Sequence, residues 1–282
     1  MNPLDSVLSG SYAVAWAAVK AMPEPVAQGL FRTGADAAVL RGGFETLQKN
    51  LARVAPGQDL LKPAMRSYAR YWCEVFRLPT MKPHRIIERT TTVDEHFLRD
   101  SVASDRGTIL VLPHSGNWDA AGAWMGCTGV PFTTVAERLK PESLYEQFLE
   151  FRQSLGMEVL PTEGGPPPFE TLADRLEKGG AICLLADRDL SKRGIEVEFF
   201  GSTAKMPAGP AKLALDTGAN LMPTTLSFTD NGWQIAFQDY VPHTDLATMT
   251  QGVADAFARE IAKHPADWHM LQKLWLEDLD PR

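Results

Sequence analysis

The sequence predicts an α/β fold: a central, mostly parallel twisted sheet flanked by helices, with an N-terminal helical appendage that faces a membrane. Three observations predict it. Up to about Arg77 apolar residues recur at three- and four-residue steps, the period of a helix face. From about Gly107 short β-rich runs alternate with helical stretches, the mark of βαβ units. The first 85 residues hold eleven Lys and Arg against six Asp and Glu, whereas the whole chain carries −7.

Taken in order, the division is residues 1–85, a helical region packed on the core and facing a membrane, and residues 86–282, the α/β core. Leu4 to Met22 reads as a mildly amphipathic helix closed by Pro23, suited to a bilayer interface or to packing on the rest of the chain. Phe44, Leu47, Leu51 and Val54 form one later helical face, and Leu61, Met65, Tyr68, Trp72 and Phe76 another. Strands are expected at Thr108 to Leu112, Phe132 to Ala136, Glu158 to Leu160, Ala181 to Ala186, Glu196 to Phe200, Leu221 to Phe228 and Trp233 to Phe237. Helices are expected at Asp119 to Gly126, Pro141 to Leu155, Phe169 to Lys178, Ala208 to Thr217 and Asp245 to Lys263. Gly164-Gly165-Pro166-Pro167-Pro168 reads as a loop and helix entry, because the alternation resumes at once.

Composition excludes several classes. At 282 residues and 44% hydrophobic side chains the chain can bury a large core. Cys73, Cys127 and Cys183 are odd in number and sit in apolar runs, which suits reduced thiols in the cytosol. No signal peptide is recognisable, and no run approaches the about 18 apolar residues of a spanning helix. The net acidic charge, without interleaved basic and aromatic residues, argues against nucleic acid. The basic N-terminal third suits an anionic membrane surface, with a solvated helical face as the alternative. His84, His96, His243, His264 and His269 lack metal-ligand spacing, so no metal is expected.

The chemistry concentrates in His114-Ser115-Gly116-Asn117-Trp118-Asp119, which follows the buried run Thr108 to Leu112. Open α/β sheets place their ligands at such carboxyl ends. Gly116 permits a sharp turn and Asn117 caps a helix starting near Trp118. Residues five apart in a helix lie about 140° apart around its axis. His114 and Asp119 therefore meet only if His114 precedes the helix and Asp119 reaches back from its first turn. Such a pair suits transfer of an acyl group to a hydroxyl, since the base must accept the hydroxyl's proton during attack. A hydrogen-bonded structural histidine is the alternative for this segment alone. No Gly-x-Ser-x-Gly elbow occurs, so Ser115 is not read as a nucleophile.

Further segments bring a resemblance. Thr133-Thr134-Val135-Ala136-Glu137-Arg138 is a strand followed by an arginine. Leu184-Leu185-Ala186-Asp187-Arg188-Asp189 is an acidic-basic turn after a strand, and Phe199-Phe200-Gly201, Pro207 and Gly209-Pro210 follow. Leu221-Met222-Pro223-Thr224-Thr225 is a strand with a central proline. With His114 to Asp119 these resemble the four ordered blocks of the glycerolipid and lipid A acyltransferases. Ala186 to Ser191, Val197 to Gly201 and the tail Asp267 to Gln272 look more particularly like the phosphatidylinositol mannoside acyltransferases. Their third block often has Glu where Asp187 stands, a side chain one methylene longer.

That resemblance implies His114, Asp119 and Asp187 as catalytic residues, with either carboxylate as the partner of His114. It implies Arg138 as the acceptor arginine and places Phe199, Phe200 and Gly201 at the substrate site; Glu137 and Arg152 read as its partners or acceptor contacts, or as surface charges beside a helix, and Arg188 with Asp189 as substrate-binding, or as a structural ion-pair turn. The implied partners are acyl-CoA as co-substrate without another cofactor, a mannosylated phosphatidylinositol lipid as acceptor, and an anionic membrane on whose cytoplasmic face the enzyme sits peripherally. The alternatives are another lipid acceptor, an acyl-CoA thioesterase, or a non-catalytic lipid-binding protein.

Overall fold

The computed structural model describes residues 16–136, 142–162, 167–189, 191 and 193–279. Residues 16–21 are helical (α1), and α2 (Glu24–Arg41), α3 (Glu45–Val54) and α4 (Leu61–Arg77) follow. Most of the expected Leu4 to Met22 helix lies outside the described residues. Its described end packs inward: Trp16 is buried, with ring centroids 5.2 Å from Phe76 and 5.4 Å from Phe148. α4 buries Ala64, Met65, Tyr71, Cys73 and Val75, as its apolar stripe requires.

The α/β part runs α5 (Pro83–Glu88), β1 (Thr90–Val93), α6 (His96–Ala103), β2 (Thr108–Leu112), α7 (Trp118–Cys127), β3 (Phe132–Ala136), α8 (Glu142–Ser154) and β4 (Met157–Pro161). It continues through α9 (Pro168–Glu177), β5 (Ala181–Leu185), β6 (Ile195–Phe199), β7 (Ser202–Met206), α10 (Gly209–Thr217), β8 (Asn220–Phe228), β9 (Trp233–Phe237) and α11 (Leu246–Ile261). Seven strands form one sheet in the order β1-β9-β8-β2-β5-β3-β4. β8, β2, β5, β3 and β4 are parallel neighbours, while β9 runs antiparallel to β8 and β1 parallel to β9. The sheet is thus mostly parallel, as expected.

All five residues of β2 are buried, because a central parallel strand is covered on both faces. Ile109 and Val111 join the core that includes Phe257, Trp268 and Trp275, while Leu110 and Leu112 face the core that includes Trp124, Phe132 and Phe237. That is the two-residue alternation of a strand.

The structure adds β1, β7, α5 and α6 to the expected elements. β1 is Thr-Thr-Thr-Val at the sheet edge, and β7 is the second arm of an antiparallel hairpin outside the main sheet. In that hairpin Phe199 pairs with Ser202, leaving Phe200 and Gly201 as a two-residue loop with φ of +51° and +75°. Those angles are the left-handed pair of a type I′ turn.

Candidate active site

The strand register builds the central pair. β2 and β5 are adjacent and parallel, with Leu112 opposite Leu185. The ladder runs one step further, the Ala186 amide donating to the Leu112 carbonyl at 2.9 Å. His114 lies two residues past Leu112 and Asp187 two past Leu185, so the chain sets them side by side at the carboxyl end of the sheet. His114 Nδ1 is 2.5 Å from Asp187 Oδ1. Asp187 Oδ2 accepts from the His114 amide at 2.9 Å and from the Trp268 indole N–H at 3.0 Å. The shorter Asp side chain therefore does reach the histidine.

A carboxylate on Nδ1 places the ring proton there and leaves Nε2 as the acceptor. Asp187 is fully buried, whereas the His114 side chain retains 37% of its exposure. Burial pushes the His114 pKa down, but the Asp187 charge and hydrogen bond outweigh it and hold the pKa above the ordinary value, against a smaller opposing effect of Arg188. Burial pushes Asp187 up, and the His114 charge, the donated hydrogen bonds and Trp268 together hold it below the usual carboxylate range. A histidine oriented by a buried carboxylate, with no hydrogen bond on its Nε2 among the described residues, has the geometry of a general base.

Asp119 is not part of this pair, which corrects the expectation that it could orient His114. Asn117 caps α7, its Oδ1 accepting from the Ala120 amide at 2.9 Å, and Asp119 stands in the first turn. Its Oδ1 accepts from Arg152 Nε at 2.8 Å and its Oδ2 from the Tyr71 hydroxyl at 2.9 Å. The Asp119 charge raises the Arg152 pKa further, and burial raises that of Tyr71. Arg152 thus serves the fold from α8, and its Nε is already engaged. The Tyr71 ring lies tilted against Trp118, centroids 4.1 Å apart, and Trp118 lies edge-on to His114 at 5.8 Å.

Gly116 makes the intervening turn at φ +56°, and a Cβ there would lie 2.8 Å from the Leu226 carbonyl carbon. A tail segment clamps the turn. The Gly116 amide donates to the Asp267 carbonyl at 2.9 Å, the His269 amide donates to the His114 carbonyl at 2.7 Å, and Ser115 forms a β-bridge with Trp268.

The other expected residues that the structure describes make contacts of their own. Glu137 and Arg138 fall outside the described residues. Arg188 Nε donates to the Lys273 carbonyl at 3.0 Å, and Asp189 Oδ1 accepts from the Ser191 amide at 2.7 Å. Phe199 is buried against Trp268 and Trp275. Phe200 and Gly201 form the hairpin turn described above.

Sequence reasoning missed Ser67, Tyr71, Glu74, Trp268 and His269. Glu74 is buried and accepts from Asn117 Nδ2 at 3.0 Å and Trp233 Nε1 at 2.5 Å, tying α4 to the His114 turn. Ser67 Oγ donates to Asp267 and lies 2.9 Å from His269 Nε2, and burial pushes the His269 pKa down to about 3. The signal was present: Ser67, Tyr71 and Glu74 fall at i, i+4 and i+7, so they share one face of α4.

Residues 6–277 match the model of the bacterial lipid A biosynthesis acyltransferase family. The chain belongs to that family. It is therefore an acyltransferase. The chain is also 51% identical over 277 residues to a phosphatidylinositol mannoside acyltransferase of Mycolicibacterium smegmatis, covering 95% of this chain and 91% of that protein. A protein of the same name from Mycobacterium tuberculosis H37Rv is 50% identical over 283 residues, covering 95% and 89%.

Proposed function

We propose that this acyltransferase moves a palmitoyl-type chain from acyl-CoA to a mannose hydroxyl of a phosphatidylinositol mannoside, at the cytoplasmic face of the membrane. The observation that carries the reaction is the His114–Asp187 pair, whose half-exposed histidine has no hydrogen bond on Nε2 among the described residues. The acceptor is supported by relatives about half identical over 95% of the chain, which are named phosphatidylinositol mannoside acyltransferases.

The acceptor oxygen attacks the thioester carbonyl while its proton passes to His114 Nε2. Asp187 stabilises the imidazolium. The carbon–sulfur bond then breaks, and the imidazolium returns the proton to the departing CoA thiolate. Arg138 is the proposed grip on the anionic acceptor, through the planar fork that arginine offers phosphate.

Membrane docking is peripheral in this reading, and no helix among the described residues is long and apolar enough to cross a membrane. Val26, Leu30 and Leu40 are exposed on α2 at 57%, 56% and 89%. At 3.6 residues per turn they fall within about 80° of one another around the helix. An exposed apolar stripe on a region of positive charge suits an anionic bilayer.

The test is incubation with labelled acyl-CoA, with and without a mannosylated phosphatidylinositol. Acylated glycolipid only when the acceptor is present, lost in His114→Ala, supports the proposal. Acid released equally without acceptor would make the protein a thioesterase, and transfer to other lipids alone would refute the acceptor.

A further inference from the structure

We propose that Trp268 is a positioning residue of the catalytic pair: its indole N–H holds the Asp187 carboxylate in the rotamer that faces His114 and limits how strongly that carboxylate attracts the His114 proton. The role rests on the acyl-transfer reading above and adds a member to the machinery from the far end of the chain.

The geometry is specific. Asp187 has two oxygens with distinct tasks, Oδ1 on the His114 ring and Oδ2 on the His114 amide and the Trp268 indole. Without Trp268, Oδ2 keeps one donor in a fully buried site, and an incompletely bonded buried carboxylate is costly. Trp268 cannot drift from its place. Its ring is buried against Phe199 and Trp275, at 6.0 Å from each, and its backbone is bridged to Ser115. The residues on either side carry the other two ties, Asp267 to Gly116 and His269 to His114. The same tripeptide thus fixes the loop of the base by its backbone and the carboxylate by one side chain.

The sign of the electrostatic effect follows from charge. An indole N–H directed at Asp187 stabilises negative charge, and the pair carries −1 when His114 is neutral and zero when it is protonated. The donor therefore favours neutral His114, the form able to accept a proton. The other titratable and charged groups facing the pair are Arg188, which opposes protonation of His114, and His269, which burial keeps neutral.

The test compares Trp268→Phe, which removes the N–H, with Trp275→Phe, which removes an equally buried indole whose N–H donates to the Phe199 carbonyl. His114 is titrated by NMR through its imidazole signals, a readout that needs no acyl transfer, and kcat and KM for acyl-CoA are measured beside it. We expect Trp268→Phe to raise the His114 pKa by about one unit, the scale of one hydrogen bond to a charged group. Its kcat should fall roughly 10- to 100-fold, the range for partners that orient a working histidine, with KM for acyl-CoA little changed. Trp275→Phe should leave the titration in place. An unshifted His114 titration in Trp268→Phe, or equal shifts in both variants, overturns the proposal. Should Trp268→Phe fail to fold, the assigned indole N–H resonance of Trp268 in the unaltered protein is followed against pH. It should move with the His114 titration, and a resonance that stays fixed through that range overturns the proposal equally. A shifted titration in a protein that transfers no acyl group would leave the positioning role standing and remove the proposed function.

Discussion

Asp119 and Arg152 form a buried ion pair, Nε to Oδ1 at 2.8 Å, that is closed by the Tyr71 hydroxyl and holds α8 against the start of α7. Removing one member of such a pair leaves the other charged and unpaired in the interior, at a cost of about 3–5 kcal/mol. Arg152→Ala and Asp119→Ala should each lower the denaturation midpoint strongly. Unchanged stability in both variants, read by urea titration, would contradict the structural role assigned to this pair.

The pH dependence of turnover has a definite sign. His114 acts as a base only when neutral, and its pKa is held above the ordinary 6.5 by Asp187. Activity should therefore be lost as pH falls through a value above 6.5. In Asp187→Asn the charge that raises the pKa is gone, while burial and Arg188, which lower it, remain. The acid limb of the kcat/KM profile should then move to lower pH as the rate itself drops. A limb that moves to higher pH in this variant would contradict the assignment.

Gly116 tests the turn. A side chain there combines a left-handed backbone with a Cβ 2.8 Å from the Leu226 backbone. Strain of this kind costs on the order of 1–3 kcal/mol. Gly116→Ala should lower both the melting temperature and kcat, because His114 sits two residues away. A variant with wild-type melting and turnover would show that the turn accommodates a methyl group.

Docking through α2 predicts that Leu30→Glu combined with Leu40→Glu weakens binding to anionic vesicles while leaving the fold intact. Charge attraction is screened within about 8 Å at physiological salt, so wild-type binding should also weaken as salt rises. Flotation assays read both effects. Undiminished binding of the double variant would remove α2 from the membrane face.

The fold was legible where burial is strong. Thr108 to Leu112 and Ala181 to Ala186 read as strands because their apolar runs are continuous, as central parallel strands require. β1, half-exposed at an edge, and β7, whose Ser-Thr-Ala-Lys-Met alternates over only two apolar residues, Ala204 and Met206, offered no such continuous run. At the site, His114 and both candidate carboxylates were visible, but the choice between them was not. Sequence spacing favours Asp119, five residues away, whereas the contact with Asp187 spans 73 residues and depends on β2 and β5 being neighbours in register. Trp268 was hidden for the same reason. Its contact with Asp187 joins the tail to β5 across the sheet, which no local pattern encodes.

The central claim is that His114 and Asp187 act as one unit. A double-mutant cycle on kcat tests it directly, using His114→Ala, Asp187→Asn and both together, with thermal melts and acyl-CoA binding as controls for folding. Loss of a general base typically costs about 10²- to 10⁴-fold. We predict losses of that order for His114→Ala and a large loss for Asp187→Asn. The double variant should be hardly worse than the more damaged single one, as for residues that act together. Near wild-type turnover in His114→Ala, or losses that multiply fully in the double variant, would contradict the account.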